Sequence, residues 1–357
     1  MKRLIIIDGN AILHRAFHAY PGLTDPKGNI VNAVYGFSSM FLKILQDQNP
    51  DYIVVCFDRP TPTFRKQLYV GYQAKRPQMD EGLSLQIVKV HDVLEKMKVV
   101  MFEVDGYEAD DLIGTIAYQA TRGQLLELSN QSLEPSKKKT KLQALETDQL
   151  EVIIVSGDRD MMQLVNSHVK ILMPLVGMTT TALYDSKAVE DKFGLKPHQF
   201  IDYKALVGDA SDNYPGVTGI GPKTASNLLK QYETLENLYE HIAELPEKIS
   251  LKLANDAEQA ALAKKLATIV TDVPITLDLE KCSISRFDID GAREAFEEFG
   301  FNSLIRRLIS DKQEEPPLRP ASAKATASKQ GSAGQVKGSK ENNTVQVLKT
   351  DAQLELL

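Results

Sequence analysis

Cysteine is scarce: the 357-residue chain has two, Cys56 and Cys282. That excludes a disulfide framework and a cysteine-rich zinc pattern, and it fits a reducing, cytoplasmic setting. No apolar run approaches the length of a membrane span. The opening "MKRLIIIDGN" has its short apolar run broken at Asp8, which excludes a signal peptide. An excess of positive charge is also missing. Lys and Arg number 42 against 48 Asp and Glu, for a net charge of −6. A protein that is basic all over is thereby excluded, whereas local basic patches are not. What is there is 43% apolar and 25% charged, a soluble globular composition. The length suits about two or three domains.

Three apolar runs each end on an acid: "KRLIIIDG" at Asp8, "DYIVVCFD" at Asp58, and "EVIIVSGD" at Asp158, with Asp160 two positions on. A fourth, "VVMFEVDG", leads into "GYEADDLIG", which holds Glu108, Asp110 and Asp111. The runs are continuous rather than alternating, as expected of parallel strands buried on both faces. Helical patterns at roughly 10–18, 33–48, 84–97 and 109–120 separate them. This alternation predicts a parallel α/β sheet with right-handed crossovers, whose ligands bind beyond the carboxyl ends of the strands. Residues 121–150, with "SNQSLEPSKKKTK", read as a solvated surface excursion. From about 180 to 310, short helical patterns from "SKAVEDKFG" to "AREAFEEFGFNSLIRRLI" predict a helical subdomain. Residues 311–343 have almost no large apolar side chains and read as a flexible linker. "TVQVLKTDAQLELL" then begins a strand and a helix. Either the chain is a fragment cut inside a following domain, or this tail packs elsewhere.

If the strands are neighbours, Asp8, Asp58, Glu108, Asp110, Asp111, Asp158 and Asp160 converge, and "GDASDNYPG" adds Asp209 and Asp212. Two carboxylates about 4 Å apart repel by roughly 4 kcal/mol at an effective dielectric near 20. Such a cluster protonates or splays unless cations hold it together. Carboxylate ligation suits Mg²⁺ or Mn²⁺ over Zn²⁺. Two such ions about 4 Å apart clamp the oxygens of an in-line phosphoryl displacement, so no side-chain nucleophile is needed. Taken alone, "GYEADDLIG" reads equally as acids capping a helix, and a strand-ending Asp is often only a turn residue. The recurrence of acids at three strand ends, plus two acid pairs, points to one site. His14 and His18 have the i, i+4 spacing of a zinc pair but no carboxylate base between them. An ordinary helix face or a substrate contact fits them better.

Two stretches point to nucleic acid. Residues 59–79, "RPTPTFRKQLYVGYQAKRPQM", hold Arg59, Arg65, Lys66, Lys75 and Arg76 and no acid, interleaved with Phe64, Tyr69 and Tyr72. Cations neutralise phosphates and aromatic faces stack on unpaired bases. The stretch directly follows the Asp58 strand, so it overhangs the acids. A solvated loop is the alternative. In "PGVTGIGPKTASNLL", Gly219 and Gly221 free backbone N–H groups, and Pro222 starts a helix with Lys223 and Thr224 in its first turn. Preceded by "HQFIDYKALVG", this makes a helix–hairpin–helix grip on a DNA backbone, or a plain helix cap. A nucleotide-binding P-loop fails, because Pro222 parts glycine from lysine and "DASDNYP" is no strand.

In order along the chain, "DGN…HRAFHA", "AVYGF", "FDRPTPTFR", "GYEADD", "SGDRDMMQL" and "GDASDNYPGVTGIGPKTA" resemble the 5′ nuclease domain of bacterial DNA polymerase I, in the flap endonuclease superfamily. The resemblance covers about 1–310. It implies a PIN-like α/β core at 1–178, a helical DNA-binding subdomain at 179–310, a linker at 311–343 and the truncated start of a following domain at 344–357. It implies a first metal site at Asp8, Asp58, Glu108 and Asp110. The second would be at Asp158, Asp160 and Asp212, with Asp111 and Asp209 as nearby acids. Two Mg²⁺ or Mn²⁺ ions follow. Tyr72 matches an aromatic that stacks near the scissile nucleotide, and Arg76 a basic residue of the arch over the site, with Arg65 and Lys75 as further DNA contacts. Gly219, Gly221 and Lys223, beside Thr224, match a DNA-gripping hairpin that holds a monovalent cation such as K⁺. The implied reaction hydrolyses DNA near a 5′ end or flap junction, RNA primer strands included, leaving a 5′-phosphate and a 3′-hydroxyl. The implied protein is a cytoplasmic monomer with a polymerase in cis and no membrane partner.

Two departures stand out. Gln73 occupies the place of a lysine usual after the tyrosine, and Lys75 falls on roughly the opposite helix face. The 121–150 excursion is longer than usual. Gln73 leaves open a rival reading, a DNA-binding module with an impaired nuclease site. A haloacid-dehalogenase-like phosphatase needs a second Asp two residues after Asp8, where Asn10 stands.

Overall fold

The apolar run at residues 4–7 is buried on both sides, and a six-stranded sheet is built around it. The computed structural model describes residues 1–130, 150–175 and 180–310. Its main strands are β1 (Lys2–Asp8), β2 (Tyr52–Cys56), β3 (Val100–Phe102), β4 (Leu150–Val155), β5 (Val169–Pro174) and β6 (Thr181–Tyr184). They lie in the order β3-β2-β1-β4-β5-β6, all parallel except β6. Ile7 aligns with Val55 on one side and Val155 on the other. The chain therefore leaves β1, β2 and β4 along one edge, at or just before Asp8, Asp58 and Asp158.

Side chains alternate across the sheet. Leu4 and Ile6 pack with Leu112, Ile113 and Ile116 of a long helix. Ile5 and Ile7 pack on the opposite face with Ile12, Phe37, Phe41 and Val90. Each such side chain contributes roughly 1.5–3 kcal/mol when fully buried. The helices of this half are α1 (Gly9–Ala19), α2 (Asn32–Gln48), α3 (Phe64–Leu68), α4 (Glu81–Lys96) and α5 (Ala109–Asn130). Because α5 runs to Asn130, the first part of the expected surface excursion is helical; residues 131–149 lie outside the described set.

The second half holds α6 (Ser186–Phe193), α7 (Gln199–Val207), α8 (Pro222–Tyr232), α9 (Leu235–Glu240), α10 (Glu247–Asn255) and α11 (Ala257–Ala267). Leu228, Leu238, Leu253 and Ala260 join the same core as Leu4 and Ile6. Between α7 and α8 a two-residue ladder, β7 (Gly208–Asp209) with β8 (Tyr214–Pro215), turns the chain. Gly208 has φ 79°, and a Cβ there would meet the Gly216 nitrogen at 2.4 Å, so only glycine fits this crossing. The last two helices, α12 (Ile289–Glu298) and α13 (Asn302–Ser310), were expected in the helical subdomain. They instead return to the sheet's other face, where Phe296, Phe301 and Leu304 pack with the α2 and α4 residues. An amphipathic pattern gives the width of an apolar stripe and not the surface that covers it.

The described residues belong to one compact unit, Met1–Gln313. The expected boundary at 178/179, the linker at 311–343 and the tail at 344–357 fall on residues outside the described set. Among the described residues no helix is long and apolar enough to cross a membrane.

Candidate metal centre and nucleic-acid interface

Helix starts fix the acids at the strand ends. Asp8 caps α1, its Oδ1 accepting from the Ala11 amide at 2.9 Å, while Oδ2 accepts from the Ser156 hydroxyl at 2.7 Å. Ser156 accepts in turn from the Asp158 amide at 3.0 Å, which ties β1 to β4. Asp58 accepts from the Ala109 amide at 2.7 Å, and its own amide donates to Asn10 Oδ1 at 3.0 Å. Glu108, at the start of α5, accepts from the Thr63 hydroxyl at 3.0 Å and the Tyr72 hydroxyl at 3.1 Å.

Crowding shows in the acidities. Burial pushes Asp8 up to about 7, against its bonds to Ala11 and Ser156, and the charges of Asp58 and Asp158 push the same way. Asp110, one residue into α5, is raised well above the carboxylate range by burial and by Asp158, Asp8, Asp58 and Glu108. Asp58 stays open to solvent at the rim, yet the protein packed around it desolvates and raises it. Glu108 is raised by burial too, against the pull of Arg65.

A second group forms beside the first. Carboxylate oxygens of Asp160, Asp209 and Asp212 all lie within 4.8 Å of one another, the one such closely spaced ligand group among the described residues. Lys204 of α7 reaches both Asp160 and Asp209. Burial pushes Asp160 up to about 7 despite Lys204. Burial also raises Asp209, but the charge and hydrogen bond of Lys204 outweigh it and the net shift is down. Asp212 is raised by burial and by Asp209. Tyr72 joins the groups, its hydroxyl 3.1 Å from Glu108 and 3.3 Å from Asp212. Gln73 sits in the left-handed region at φ 53°, a conformation costly for a non-glycine residue. Its amide donates to the Asp212 carbonyl at 2.8 Å and its side chain to Asp212 Oδ1 at 3.2 Å. The donor set is carboxylate oxygen, hard and electron-rich, and the upward shifts of Asp8, Asp110, Asp160 and Asp212 mark groups that favour a proton or a cation between them. It fits a hard divalent metal ion.

Three expectations need correction. Asp111 is fully buried and already saturated: Arg65 donates to it twice, at 2.7 and 2.8 Å, and the amides of Val270 and Glu108 donate at 2.9 and 3.1 Å. It is an internal ion-pair partner with no open lone pair to offer a metal. Arg65, expected on DNA, is only 3% exposed because that pair holds it inside. Tyr72 is likewise 3% exposed, its ring packed on Tyr214 with centroids 6.3 Å apart, so no face is free for a base. His14 and His18 are ring neighbours on α1, 5.0 Å apart, and stand outside the ligand group.

Residues 3–129 match the N-terminal resolvase-like domain of the 5′-3′ exonucleases, and residues 195–290 their C-terminal SAM fold. The 5′-3′ exonuclease of Aquifex aeolicus is 33% identical over 86% of this chain and 96% of its own. The chain belongs to the 5′-3′ exonuclease family. DNA polymerase I of Bacillus subtilis is 37% identical over 88% of this chain, which spans only 33% of the polymerase. The bacteriophage T5 flap endonuclease, solved as a pseudo-enzyme-product complex with DNA and metal ions, aligns at TM-score 0.53 and 18% identity over 87% of this chain and 97% of its own. That likeness establishes the shared fold.

In this exonuclease-family chain one exposed cation reaches the acids directly. Lys75 and Arg76 are solvent-exposed, and the Arg76 guanidinium lies 3.7 Å from Asp212. At the glycine hairpin, Gly219 has φ 74° and its carbonyl accepts from Lys252 Nζ at 2.7 Å. Helix α8 starts at Pro222 after Gly221 with no side-chain cap, so its first-turn N–H groups face outward beside exposed Lys223 and half-buried Thr224. The sequence reading missed Asn10, Thr63, Ser156 and Lys204. Asn10 and Ser156 adjoin the strand ends and Lys204 lies five residues before Asp209, which is a signal of position only.

Proposed function

We propose that this chain is a divalent-cation-dependent 5′ nuclease that hydrolyses DNA phosphodiesters near 5′ ends or flap junctions, leaving a 5′-phosphate and a 3′-hydroxyl. The observation that carries the reading is the convergence of carboxylates from β1, β2, β4, α5 and the α7–β8 turn beneath an exposed basic segment. Asp8, Asp58, Glu108 and Asp110 would hold one Mg²⁺ or Mn²⁺, and Asp158, Asp160, Asp209 and Asp212 a second. When bound, such ions polarise the phosphoryl group and lower the pKa of the attacking water.

The protein's own groups do the rest. Ser156 and the Ala11 amide orient Asp8, and the Ala109 amide orients Asp58. Tyr72 and Gln73 fix Asp212 relative to Glu108. Lys204 offsets part of the charge of Asp160 and Asp209. Arg76 and Lys75 neutralise the phosphates of the strand that reaches the acids, and Lys223 with the α8 N-terminus grips the duplex backbone. A K⁺ ion at the glycine hairpin, an RNA primer strand as substrate and a polymerase domain in cis belong to the same reading. So do a monomeric state and a cytoplasmic setting.

The test is a 5′-labelled flap substrate incubated with the chain, with and without Mg²⁺. Cleavage near the junction only with Mg²⁺ is the expected result. Binding without cleavage at any Mg²⁺ or Mn²⁺ concentration would select the rival, a DNA-binding module whose site Gln73 has impaired.

A further inference from the structure

The chain leaving α11 forms no ladder with any strand, yet its backbone is held on both sides. Leu266 and Ala267 close the last turn of α11, where carbonyls lack helical partners, and the backbone turns extended at Thr268. On one side, Arg65 Nε donates to the Leu266 carbonyl and its Nη2 to the Thr268 carbonyl, each at 2.9 Å, while the Val270 amide donates to Asp111 at 2.9 Å. On the other, Gln163 Nε2 donates to the Ala267 carbonyl at 3.0 Å, and Gln163 Oε1 accepts from the Ile269 amide at 2.9 Å. Leu266, Thr268 and Val270 thus bond the Arg65–Asp111 pair, and Ala267 and Ile269 bond Gln163.

The same segment then follows α5. Thr115 accepts from the Val273 amide at 3.2 Å, and Gln119 bonds the Ile275 carbonyl and the Leu277 amide, each at 2.8 Å. Asp111, Thr115 and Gln119 are spaced i, i+4, i+8, one face of the helix. Gly114 allows the close approach: a Cβ there would fall 2.6 Å from Ile269 Cγ2 and 3.2 Å from the Val270 carbonyl.

The anchors belong to the two halves of the acid site. Arg65 is paired to Asp111, next to Asp110, and lies 3.6 Å from Glu108. Gln163 stands on the 3₁₀ turn Asp160–Leu164, which opens with Asp160. We propose that residues 266–270 are a spacer strap that fixes the separation of the two carboxylate groups, with Gln163 and Arg65 as positioning residues for the cleavage step; this rests on the nuclease reading. Both groups are tied to one short peptide, so releasing either anchor lets them drift apart. A misplacement of about 1 Å costs on the order of 100-fold in rate.

The test uses the full chain. Gln163→Met keeps side-chain length and removes both strap bonds. Arg65→Met/Asp111→Leu removes the opposite clamp without leaving a buried charge. Each is measured for thermal melting, flap-DNA affinity in EDTA, Mn²⁺ binding by electron paramagnetic resonance, and single-turnover cleavage. Gln163→Met is expected to stay folded and bind DNA as wild type does, with Mn²⁺ affinity and cleavage rate each down on the order of tenfold. The double variant is expected to give a similar loss, and the triple variant no further loss, since both clamps act through one strap. A folded Gln163→Met with wild-type Mn²⁺ binding and rate would overturn the strap. Losses that multiply in the triple variant would also overturn it. If the wild type cleaves nothing, the nuclease reading fails, and the Mn²⁺ titrations still decide the strap.

Discussion

Replacing Asp8 by Asn tests whether a strand-end acid is held in place against burial and, to a lesser degree, its charged neighbours. Asp8 is 4% exposed, and burial with neighbouring charge lifts it from an ordinary 3.8 to about 7. Between those values the unfolded chain has released a proton that the folded chain keeps. Folding stability without metal therefore falls as pH rises through that window, and above about 7 the whole penalty is present. At about 1.4 kcal/mol per pH unit the penalty is on the order of 4 kcal/mol. Asn still accepts from the Ala11 amide as a helix cap and does not titrate. In EDTA, urea unfolding from pH 4.5 to 8 is expected to show Asp8→Asn gaining steadily on wild type by an amount of that order. Saturating Mg²⁺ is expected to remove most of the wild-type slope, the cation taking the proton's place. A wild-type-minus-variant difference that stays flat with pH would refute the reasoning.

Other perturbations separate the structural groups from the reactive ones. Arg65→Met leaves Asp111 buried and unpaired, and urea unfolding is expected to register a loss of about 3–5 kcal/mol, mostly recovered in Arg65→Met/Asp111→Leu; a loss near zero would mean the pair is not internal. Asp58→Ala or Asp158→Ala is expected to abolish flap cleavage while gel-shift affinity persists, and unchanged turnover would remove that residue from the site. Lys223→Glu is expected to weaken DNA binding and to lower the slope of log affinity against log salt by about one or more; an unaltered slope would count against the α8 N-terminus as the backbone grip.

Four strands were legible because they are continuous apolar runs, and a run such as residues 4–7 is buried on both faces; β5 was not read, because a short 3₁₀ turn rather than a helix separates it from β4. β6 escaped notice because Thr181–Tyr184 is a four-residue edge strand with no clear pattern of its own. The site acids were legible as types at strand ends. Their division of labour was not, because Asp110 and Asp111 are adjacent in sequence and differ only in what they meet in space. Asp110 meets other carboxylates, and Asp111 meets Arg65. Tyr72 and Arg65 carry the composition of a nucleic-acid contact, yet each finds a buried acid partner from a segment more than 30 residues away. Lys204 and Gln163 matter only through groups brought to them by the fold. A sequence shows which residues carry charge, and the fold decides which charge answers which.

Cleavage as proposed requires these separate acids to act as one cation-binding centre. Counting Mn²⁺ ions bound to the full chain, wild type beside Asp212→Asn, tests it most directly. Two ions per wild-type chain, and a weakened second ion in the variant, are expected. No specific binding, or a count and affinity indifferent to Asp212, would contradict it.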